Sequence, residues 1–281
     1  MVTGANQGLG FQISLELAKR GASLYMVCRN KERGLKSLSE VREQSSNEDV
    51  HLLLCDISSL QDVKRMSDEY KATGKPLDVL VNNAGVMVHE PLKSVDSYEM
   101  NFATNTLGTY AVTRALEPCL KQAAPGSRVI MVSSGGALTS HLEVEDLQGA
   151  KMKKNDGTER YARDKRRQIA LAEYLAAEWK DQGIVCCSMH PGWAETEGVK
   201  TSIPGFYKTF KDKMRSVEQG ADTAVWLSLC PFEMIEGGGF YLDRKPQAKH
   251  LPLAGTKYST EKVQSLVDKL DRMISMEQKV G

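Results

Sequence analysis

The chain has 281 residues, enough for one or two domains with a core that needs neither disulfides nor a metal. Hydrophobic residues make up 41% and charged residues 26% of it, which argues against a disordered or fibrous protein. Its 37 Lys and Arg face 36 Asp and Glu, and this net charge of +1 argues against nucleic acid as a main partner. The sequence has neither an apolar run of the roughly 18 residues that span a membrane nor the opening pattern of a signal peptide.

Short apolar segments alternate with longer amphipathic ones from one end of the chain to the other. Five short segments rich in Val, Ile and Leu are predicted to be strands covered on both faces, at 23–28, 50–55, 77–82, 128–133 and 183–189. Amphipathic stretches predict helices after the first glycines and at 31–45, 59–72, 96–122, 159–181, 217–229 and 260–277. This alternation predicts one α/β domain over residues 1–281, with a Rossmann-like, doubly wound parallel sheet.

The start of the chain is unusual for such a fold. Only Met1, Val2 and Thr3 precede Gly4, although a glycine loop normally follows a complete strand. The first strand, which lies in the centre of the sheet, is therefore predicted to be a stub. We expect a truncated or alternative-start form of a longer protein. The loss would cost several kcal/mol of a total stability of about 5–15 kcal/mol.

The cysteines give no sign of a disulfide framework or a zinc site. The six residues lie outside any C-x-x-C pattern and have no histidine cluster beside them. We therefore predict buried, reduced thiols in a cytoplasmic protein without a metal centre.

The chain opens on a glycine-rich stretch, TGANQGLG at residues 3–10. Glycines let a backbone approach a pyrophosphate closely, and the N-terminus of the following helix supplies N–H donors. Glycines also serve ordinary turns, but here an amphipathic helix and a strand-like segment follow. Arg29 ends that strand, where an NAD-preferring site usually has an acid, and this favours a 2′-phosphate. The alternative is that Arg29 is a solvated cation.

Three more strand ends are predicted to face the same crevice, because the carboxyl ends of parallel strands meet at one edge of the sheet. Asp56 follows the third strand and is interpreted as an acceptor for the adenine amino group or as a helix cap. Asn83 and Ala84 follow the fourth strand, within the small-residue turn NNAG. The turn HPGWAET at 190–196 follows the sixth.

Tyr161 and Lys165 form the most informative pair. They lie four residues apart on a predicted helix, so the phenol and the ammonium share a face. A cation there lowers the pKa of a tyrosine, which suits proton transfer near neutral pH. The same spacing also arises by chance, from a buried tyrosine and a lysine that extends past it. Ser133 and Ser134 offer a hydroxyl at a strand end, and Asn105 interrupts a predicted helix, where asparagine needs a reason.

These motifs, in this order, resemble the short-chain dehydrogenase/reductase family. TGANQGLG, NNAG, Asn105, SSGG, YARDK and PGWAET carry the resemblance from residue 3 to at least residue 200. It implies hydride transfer between a nicotinamide cofactor and an alcohol or carbonyl substrate. It also implies that Tyr161 is the acid/base, that Lys165 lowers its pKa and binds the nicotinamide ribose, and that Ser134 holds the substrate oxygen. Asn105 would hold a water in a proton relay.

The resemblance further implies a set of cofactor-binding residues. The residues that match the pyrophosphate site are Gly4, Gln7, Gly8, Leu9 and Gly10. The residues that match the rest of the cofactor site are Arg29 and Asp56 for the adenosine half, Asn83 and Ala84 for the ribose region, Tyr161 and Lys165 for the nicotinamide ribose, and Thr196 for the carboxamide. NADP(H) is the expected cofactor, with NAD(H) as the alternative.

Three segments need their own interpretation. Asp164 stands where many relatives have serine, which alters the ribose contact or only the helix surface. Residues 141–158 resemble an extra loop of the retinol-dehydrogenase-like branch, and their charges predict a surface insertion. In this family the segment 197–215 covers the substrate. Its apolar residues share the spacing of one helix face, which predicts a packing face or a lid over a lipophilic substrate: Phe206, Tyr207, Phe210 and Met214.

Two functions therefore compete. An oxidoreductase acting on a small-molecule alcohol or carbonyl is favoured by the complete set of Asn105, Ser134, Tyr161 and Lys165. A non-catalytic dinucleotide-binding or scaffold protein is favoured by the short first strand. The family resemblance implies a monomer or a homodimer, the latter through the helices at 96–122 and 159–181.

Overall fold

The computed structural model describes residues 1–154, 156–195 and 197–280, and its centre is an eight-stranded, mostly parallel sheet flanked by helices. The strand order is β3-β2-β1-β4-β5-β6-β7-β8, and only the last pair is antiparallel. The strands are β1 (Val2–Thr3), β2 (Leu24–Cys28), β3 (Val50–Leu54), β4 (Val79–Asn82), β5 (Ser127–Val132), β6 (Ile184–Met189), β7 (Phe240–Leu242) and β8 (Lys245–Pro246). The predicted α/β fold is confirmed.

The short first strand lies in the middle of the sheet. It pairs in parallel with β2 on one side, Val2 opposite Met26, and with β4 on the other, Val2 opposite Val81. Strand order reverses at this point, since β2 and β3 extend to one side and β4 to β6 to the other. In doubly wound sheets the ligand crevice lies at such a reversal, beyond the carboxyl ends of the strands.

Helices cover both faces of the sheet and bury two large apolar clusters against it. They are α1 (Gly8–Ala18), α2 (Lys31–Ser45), α3 (Leu60–Lys71), α4 (Met100–Phe102), α5 (Thr109–Ala115), α6 (Glu117–Ala123), α7 (Gly157–Glu178), α8 (Glu197–Ser202), α9 (Pro204–Phe210), α10 (Val217–Leu229) and α11 (Thr260–Val280). The Ser216–Gln219 capping box that the sequence predicts begins α10. Among the described residues, no helix is both long and apolar enough to cross a bilayer.

The single helix predicted over 96–122 is wrong. The helical part of this segment begins at Met100, and a π-helical turn, Ala103–Gly108, lies between α4 and α5. The separate helix α6 then begins at Glu117, with Pro118 in its first turn. The end of the turn packs closely against the segment that follows β3, because a Cβ atom on Gly108 would lie 1.9 Å from the carbonyl oxygen of Ile57. A local change of helical pitch of this kind is common at functional sites.

The described residues of the loop 141–158 form a surface insertion only in part: Glu145, Lys151, Lys153 and Lys154 are exposed, but apolar residues anchor the loop. Leu142, Val144 and Leu147 are buried in the same apolar cluster as α11. Arg167 on α7 reaches the loop from below and donates to the carbonyls of Glu143 and Leu147 at 3.0 and 2.9 Å. Charged residues in this loop lie between apolar residues that anchor it, which its overall composition conceals.

The predicted apolar face of 197–215 does not form as one helix. Helix α9 ends at Phe210, which is exposed, and Met214 follows in an extended conformation. The Tyr207 hydroxyl donates to the Glu195 carboxylate at 2.7 Å instead of facing an apolar partner. The side chain of Phe206 lies outside the described residues.

All six cysteines are buried free thiols, as predicted. Burial raises the pKa of Cys55 and of Cys187 to about 12, which keeps both as neutral thiols. These residues therefore behave as small apolar side chains of the core.

Candidate active site

A cleft of about 330 Å³ opens at the reversal of strand order. Its walls include most of the site residues predicted from the sequence: Gly4, Gln7, Gly8, Leu9, Gly10, Arg29, Asp56, Asn83, Ala84, Tyr161 and Lys165. Two further predicted residues are next to the lining: Asn105 is fully buried, and the half-buried Ser134 is hydrogen-bonded to the lining residue Tyr161. Thr196 lies outside the described residues. The fold therefore brings the glycine loop and the Tyr–Lys pair to one crevice.

The glycine loop has a backbone that other residues would not fit. Gly4 and Gly8 have φ values of 64° and 53°, in the left-handed region that favours glycine. A Cβ atom on Gly10 would lie 2.2 Å from the Gly4 carbonyl oxygen. Helix α1 starts at Gly8, and no described side chain caps its first N–H groups. Its positive end therefore faces the cleft and suits an anionic group such as a pyrophosphate.

Arg29 and Asp56 line the cleft at the carboxyl ends of β2 and β3. The Arg29 side chain is 66% exposed, and its Nη1 lies 3.7 Å from Oδ2 of Asp56. The other Asp56 oxygen accepts from the backbone and the hydroxyl of Ser58 at 3.0 and 2.7 Å. Ser59, not Asp56, caps helix α3. Asp56 thus shapes the β3–α3 turn and presents one carboxylate oxygen near the Arg29 cation.

Asn83 and Ala84 fasten the end of β4 to the glycine loop. Both backbone N–H groups donate to the Thr3 hydroxyl at 3.0 Å. The Asn83 amide donates to the carbonyls of Thr3 and Gly4 at 2.9 and 3.3 Å, so its side chain points along the loop. These residues fix one wall of the cleft through backbone atoms.

Asn105 lies in the π-helical turn and binds the segment that follows β4. Its side-chain amide makes a reciprocal pair with the backbone of Val86, accepting at 2.9 Å and donating at 2.8 Å. Asn101 makes the same pair with Val88, at 2.8 and 2.9 Å. Residue 101 was not predicted as functional, although its i, i+4 spacing to residue 105 places both amides on one helix face.

Tyr161 and Lys165 lie on one face of α7, which Asp156 caps through its bonds to two backbone N–H groups. The Lys165 ammonium lies 5.3 Å from the centre of the Tyr161 ring and donates to the Val132 carbonyl at 2.8 Å. The Tyr161 phenol is hydrogen-bonded to the Ser134 hydroxyl. Ser133, by contrast, donates to the Lys165 carbonyl at 2.7 Å and ties β5 to α7. Of the two serines, the second therefore faces the phenol.

The sequence predicts that Lys165 lowers the pKa of Tyr161, but in the structure this pKa is raised. Burial raises this pKa to about 12, against a lowering by the Ser134 hydrogen bond, and the buried carboxyl of Asp164 raises it further. Burial also lowers the pKa of Lys165 to about 8. Desolvation, which the sequence argument left out, is the largest cause of the shift in the Tyr161 pKa.

Asp164 lies neither in a ribose contact nor on the helix surface. Its side chain is 1% exposed, accepts from the Thr106 hydroxyl at 2.6 Å, and pairs with the buried Arg167 at 2.8 Å. The pair thus links α7 to the π-helical turn that carries Asn105. A buried arginine was outside the sequence prediction, because arginines are normally exposed.

A turn at Pro191 follows the end of β6, and Pro191 also lines the cleft. Gly192 there has a φ of 69°, and the Arg215 side chain packs on it so closely that a Cβ would lie 2.7 Å from its Nε. Arg215 exchanges backbone hydrogen bonds with Trp193 and Glu195 at 2.8 and 2.9 Å. This contact was not predicted from the sequence, since it joins residues that are 20 or more positions apart.

The chain is similar to known proteins over most of its length. The profile of the family described as short chain dehydrogenase matches residues 1–205. Dehydrogenase/reductase SDR family member 12 of Bos taurus is 41% identical over 274 residues, which cover 97% of this chain and 85% of that protein. Retinol dehydrogenase 11 of Homo sapiens is 33% identical over 243 residues, which cover 85% of this chain and 76% of that protein.

One solved structure shows the same fold at lower identity. L-Sorbose reductase from Gluconobacter frateurii, complexed with NADPH and L-sorbose, superposes with a TM-score of 0.68 at 20% identity. The match covers 85% of this chain and 92% of that one. At this identity the likeness concerns the fold alone.

Proposed function

The chain belongs to the short chain dehydrogenase family, and from this premise we propose that it transfers a hydride between NADP(H) and a lipophilic alcohol or carbonyl compound. Its family and its retinol dehydrogenase relatives make it an NAD(P)-dependent dehydrogenase/reductase. The observation that carries the proposal is the convergence of Tyr161, Lys165 and Ser134 at one end of a cleft whose other end is the glycine loop.

The residues of the cleft fit a dinucleotide. Gly10 lets the start of α1 pack closely against the Gly4 carbonyl and the Asn83 amide, and the uncapped start of α1 offers N–H groups to a pyrophosphate. Arg29 and Asp56 would hold the adenosine half, and Tyr161 and Lys165 the nicotinamide ribose. Bound there, the cofactor supplies or accepts the hydride.

The proton is handled by side chains of this chain. In carbonyl reduction, Tyr161 donates its phenolic proton to the substrate oxygen, which the Ser134 hydroxyl holds by a hydrogen bond. The Lys165 ammonium, close to the ring, stabilises the phenolate that remains. Because the pKa of Tyr161 is raised to about 12, the phenol is protonated at neutral pH and carries the proton that carbonyl reduction requires.

The preference for NADP(H) rests on Arg29. Its side chain is exposed at the rim of the cleft. The nearest carboxylate oxygen of Asp56 lies 3.7 Å from Nη1, which is beyond hydrogen-bond distance. A planar guanidinium in this place suits a 2′-phosphate.

The preference for a lipophilic substrate rests on the apolar residues among those that line the cleft. They include Val86, Met87 and Ile203. The Ser202 hydroxyl donates to the Met87 carbonyl at 3.1 Å, which holds α8 against this wall. An apolar wall of this kind favours a hydrocarbon group beside the reacting carbonyl.

The test is turnover by the full chain with NADPH and a panel of lipophilic ketones and aldehydes. We expect Tyr161→Phe to lower kcat by about 10²- to 10⁴-fold while NADPH still raises the thermal unfolding midpoint. Tyr174→Phe is the matched control, because it makes the same change on α7 against the core and away from the cleft. Cofactor binding without turnover of any carbonyl, in the wild type as in the variants, would instead identify a non-catalytic dinucleotide-binding protein.

A further inference from the structure

Gln168 lies one turn beyond Lys165 on α7 and is fully buried. Its side-chain oxygen accepts from the Lys165 ammonium at 3.2 Å. Its side-chain nitrogen donates to the carbonyl of Asn105 at 2.7 Å and lies 3.5 Å from the Thr109 hydroxyl. One amide thus joins two residues of the candidate active site that lie on different elements.

The partners of Gln168 fix which way its amide points. An ammonium only donates hydrogen bonds, and a backbone carbonyl only accepts them. Rotating the amide by half a turn would set N–H groups against Lys165 and an oxygen against the Asn105 carbonyl, and both contacts would be repulsive. The orientation is therefore determined by the chemistry of Lys165 and Asn105.

The same amide restricts the Lys165 ammonium. One of its three protons is directed at the Val132 carbonyl, at 2.8 Å, and a second at the Gln168 oxygen. Lys165 lines the cleft, so the third proton remains for a group bound there. Two fixed acceptors leave this long side chain little rotational freedom, which is the arrangement that a precisely oriented cation needs.

We propose that Gln168 is a positioning residue that holds the Lys165 ammonium beside the Tyr161 ring and couples it to Asn105. Where the family resemblance implied a water held by Asn105, the Asn105 carbonyl holds a side-chain amide. The inference rests on the proposed function, since it gives Gln168 its role through Lys165.

Other groups around Lys165 also affect its charge. The charged or titratable ones are Tyr161 and Asp164 on α7. Arg167 and Glu99 act on Asp164 in turn. Strand β5 and the π-helical turn face it with uncharged groups, the Val132 carbonyl and the Asn105 amide. Substitution of Gln168 leaves all of these in place, so its effect on Lys165 isolates the amide.

The experiment follows the Lys165 side chain in the full-length protein by ¹³C NMR of the lysine ε-carbons, with the signal assigned by Lys165→Arg. Gln168→Met removes the acceptor, and the titration midpoint of Lys165 should fall by about one pH unit. Gln168→Glu keeps an oxygen towards Lys165 in either protonation state, so the midpoint should stay or rise. Carbonyl reduction by the Met variant should show kcat about tenfold lower with KM for NADPH nearly unchanged.

Tyr70→Phe is the control for loss of a buried hydrogen bond, here to the Pro76 carbonyl and far from the cleft. It should lower stability without moving the Lys165 midpoint. If Gln168→Met does not fold, Gln168→Asn replaces it with the same expectation, because the shorter side chain does not span both partners.

An unchanged midpoint in the Met or Asn variant, or a shift in the same direction in the Glu variant, overturns the inference. The NMR midpoint does not depend on turnover, so the two proposals fail separately. A wild-type protein that reduces no carbonyl refutes the proposed function. An active protein in which substitutions of Gln168 leave the titration midpoint of Lys165 unchanged refutes only the role of Gln168.

Discussion

The two ends of the cleft are built in different ways. The glycine end presents backbone groups shaped by Gly4 and Gly10, together with the exposed side chain of Arg29. The tyrosine end consists of buried side chains such as Lys165 and Gln168, which are hydrogen-bonded to one another. Residues at the first end therefore act nearly independently, whereas residues at the second act as a unit in which one change affects several partners.

The strongest test of this difference is Asp164→Asn. The substitution leaves Arg167 as a buried cation without a counterion, so we expect the free energy of unfolding to fall by about 3–5 kcal/mol. Chemical denaturation of the purified protein measures it. The double variant with Arg167→Gln should recover much of the loss, because it removes both charges.

Glu159→Gln is the matched control for this pair. Glu159 pairs with Arg163 on the same helix at the surface, with side chains that are 50% and 21% exposed, and its loss should cost about 0.5 kcal/mol or less. Equal losses for the buried and the surface pair would contradict the view that the tyrosine end is a coupled network.

Lys165→Met tests the burial of the tyrosine end through pH. Burial lowers the pKa of Lys165 to about 8, so above that pH the native protein releases a proton that the unfolded chain keeps until its ordinary value of 10.5. Wild-type stability therefore gains about 3 kcal/mol relative to the variant between pH 8 and 10.5. Denaturation curves over this range measure the difference, and parallel pH courses for the two proteins would show that Lys165 is solvated.

The smallest of these effects is expected at the glycine end, for Arg29→Asp. Loss of a charge-assisted contact to a 2′-phosphate should lower the preference for NADPH over NADH by about 10- to 100-fold. Binding titrations with both cofactors measure the ratio. Thermal stability should change little, because the Arg29 side chain is 66% exposed.

Lys36→Asp controls for net charge in this experiment. It makes the same change of charge on the exposed side of α2, where Lys36 faces Glu40. An equal loss of preference in both variants would assign the effect to the general field of the protein instead of to a contact made by Arg29.

The sequence predicted the elements that depend on local pattern. Strands β2 to β6 lie within two residues of the predicted bounds, because continuous apolar runs mark buried parallel strands. Helix α2 has the predicted limits, since Asn30 caps its start and Ser46 ends it in a left-handed conformation. Strands β7 and β8 were missed, because segments of three and two residues carry too little pattern.

The sequence predicted which residues form the candidate site better than it predicted the contacts between them. The motifs identified Tyr161, Lys165 and Asn105, and the fold brings them together. The π-helical turn and the burial of Arg167 depend on residues distant in sequence, which a local pattern does not register. The predicted direction of the pKa shift of Tyr161 was wrong for the same reason, because desolvation depends on the folded surroundings of the side chain.

The paired amides of Asn101 and Asn105 have a consequence for how this protein could be re-engineered. In this segment they are hydrogen-bonded to main-chain atoms of Val86 and Val88, and the residue between these two, Met87, lines the cleft. A substitution of the Met87 side chain therefore leaves the hydrogen bonds that hold this segment in place. A library confined to position 87 would vary the fit of new substrates while the supporting frame stays intact.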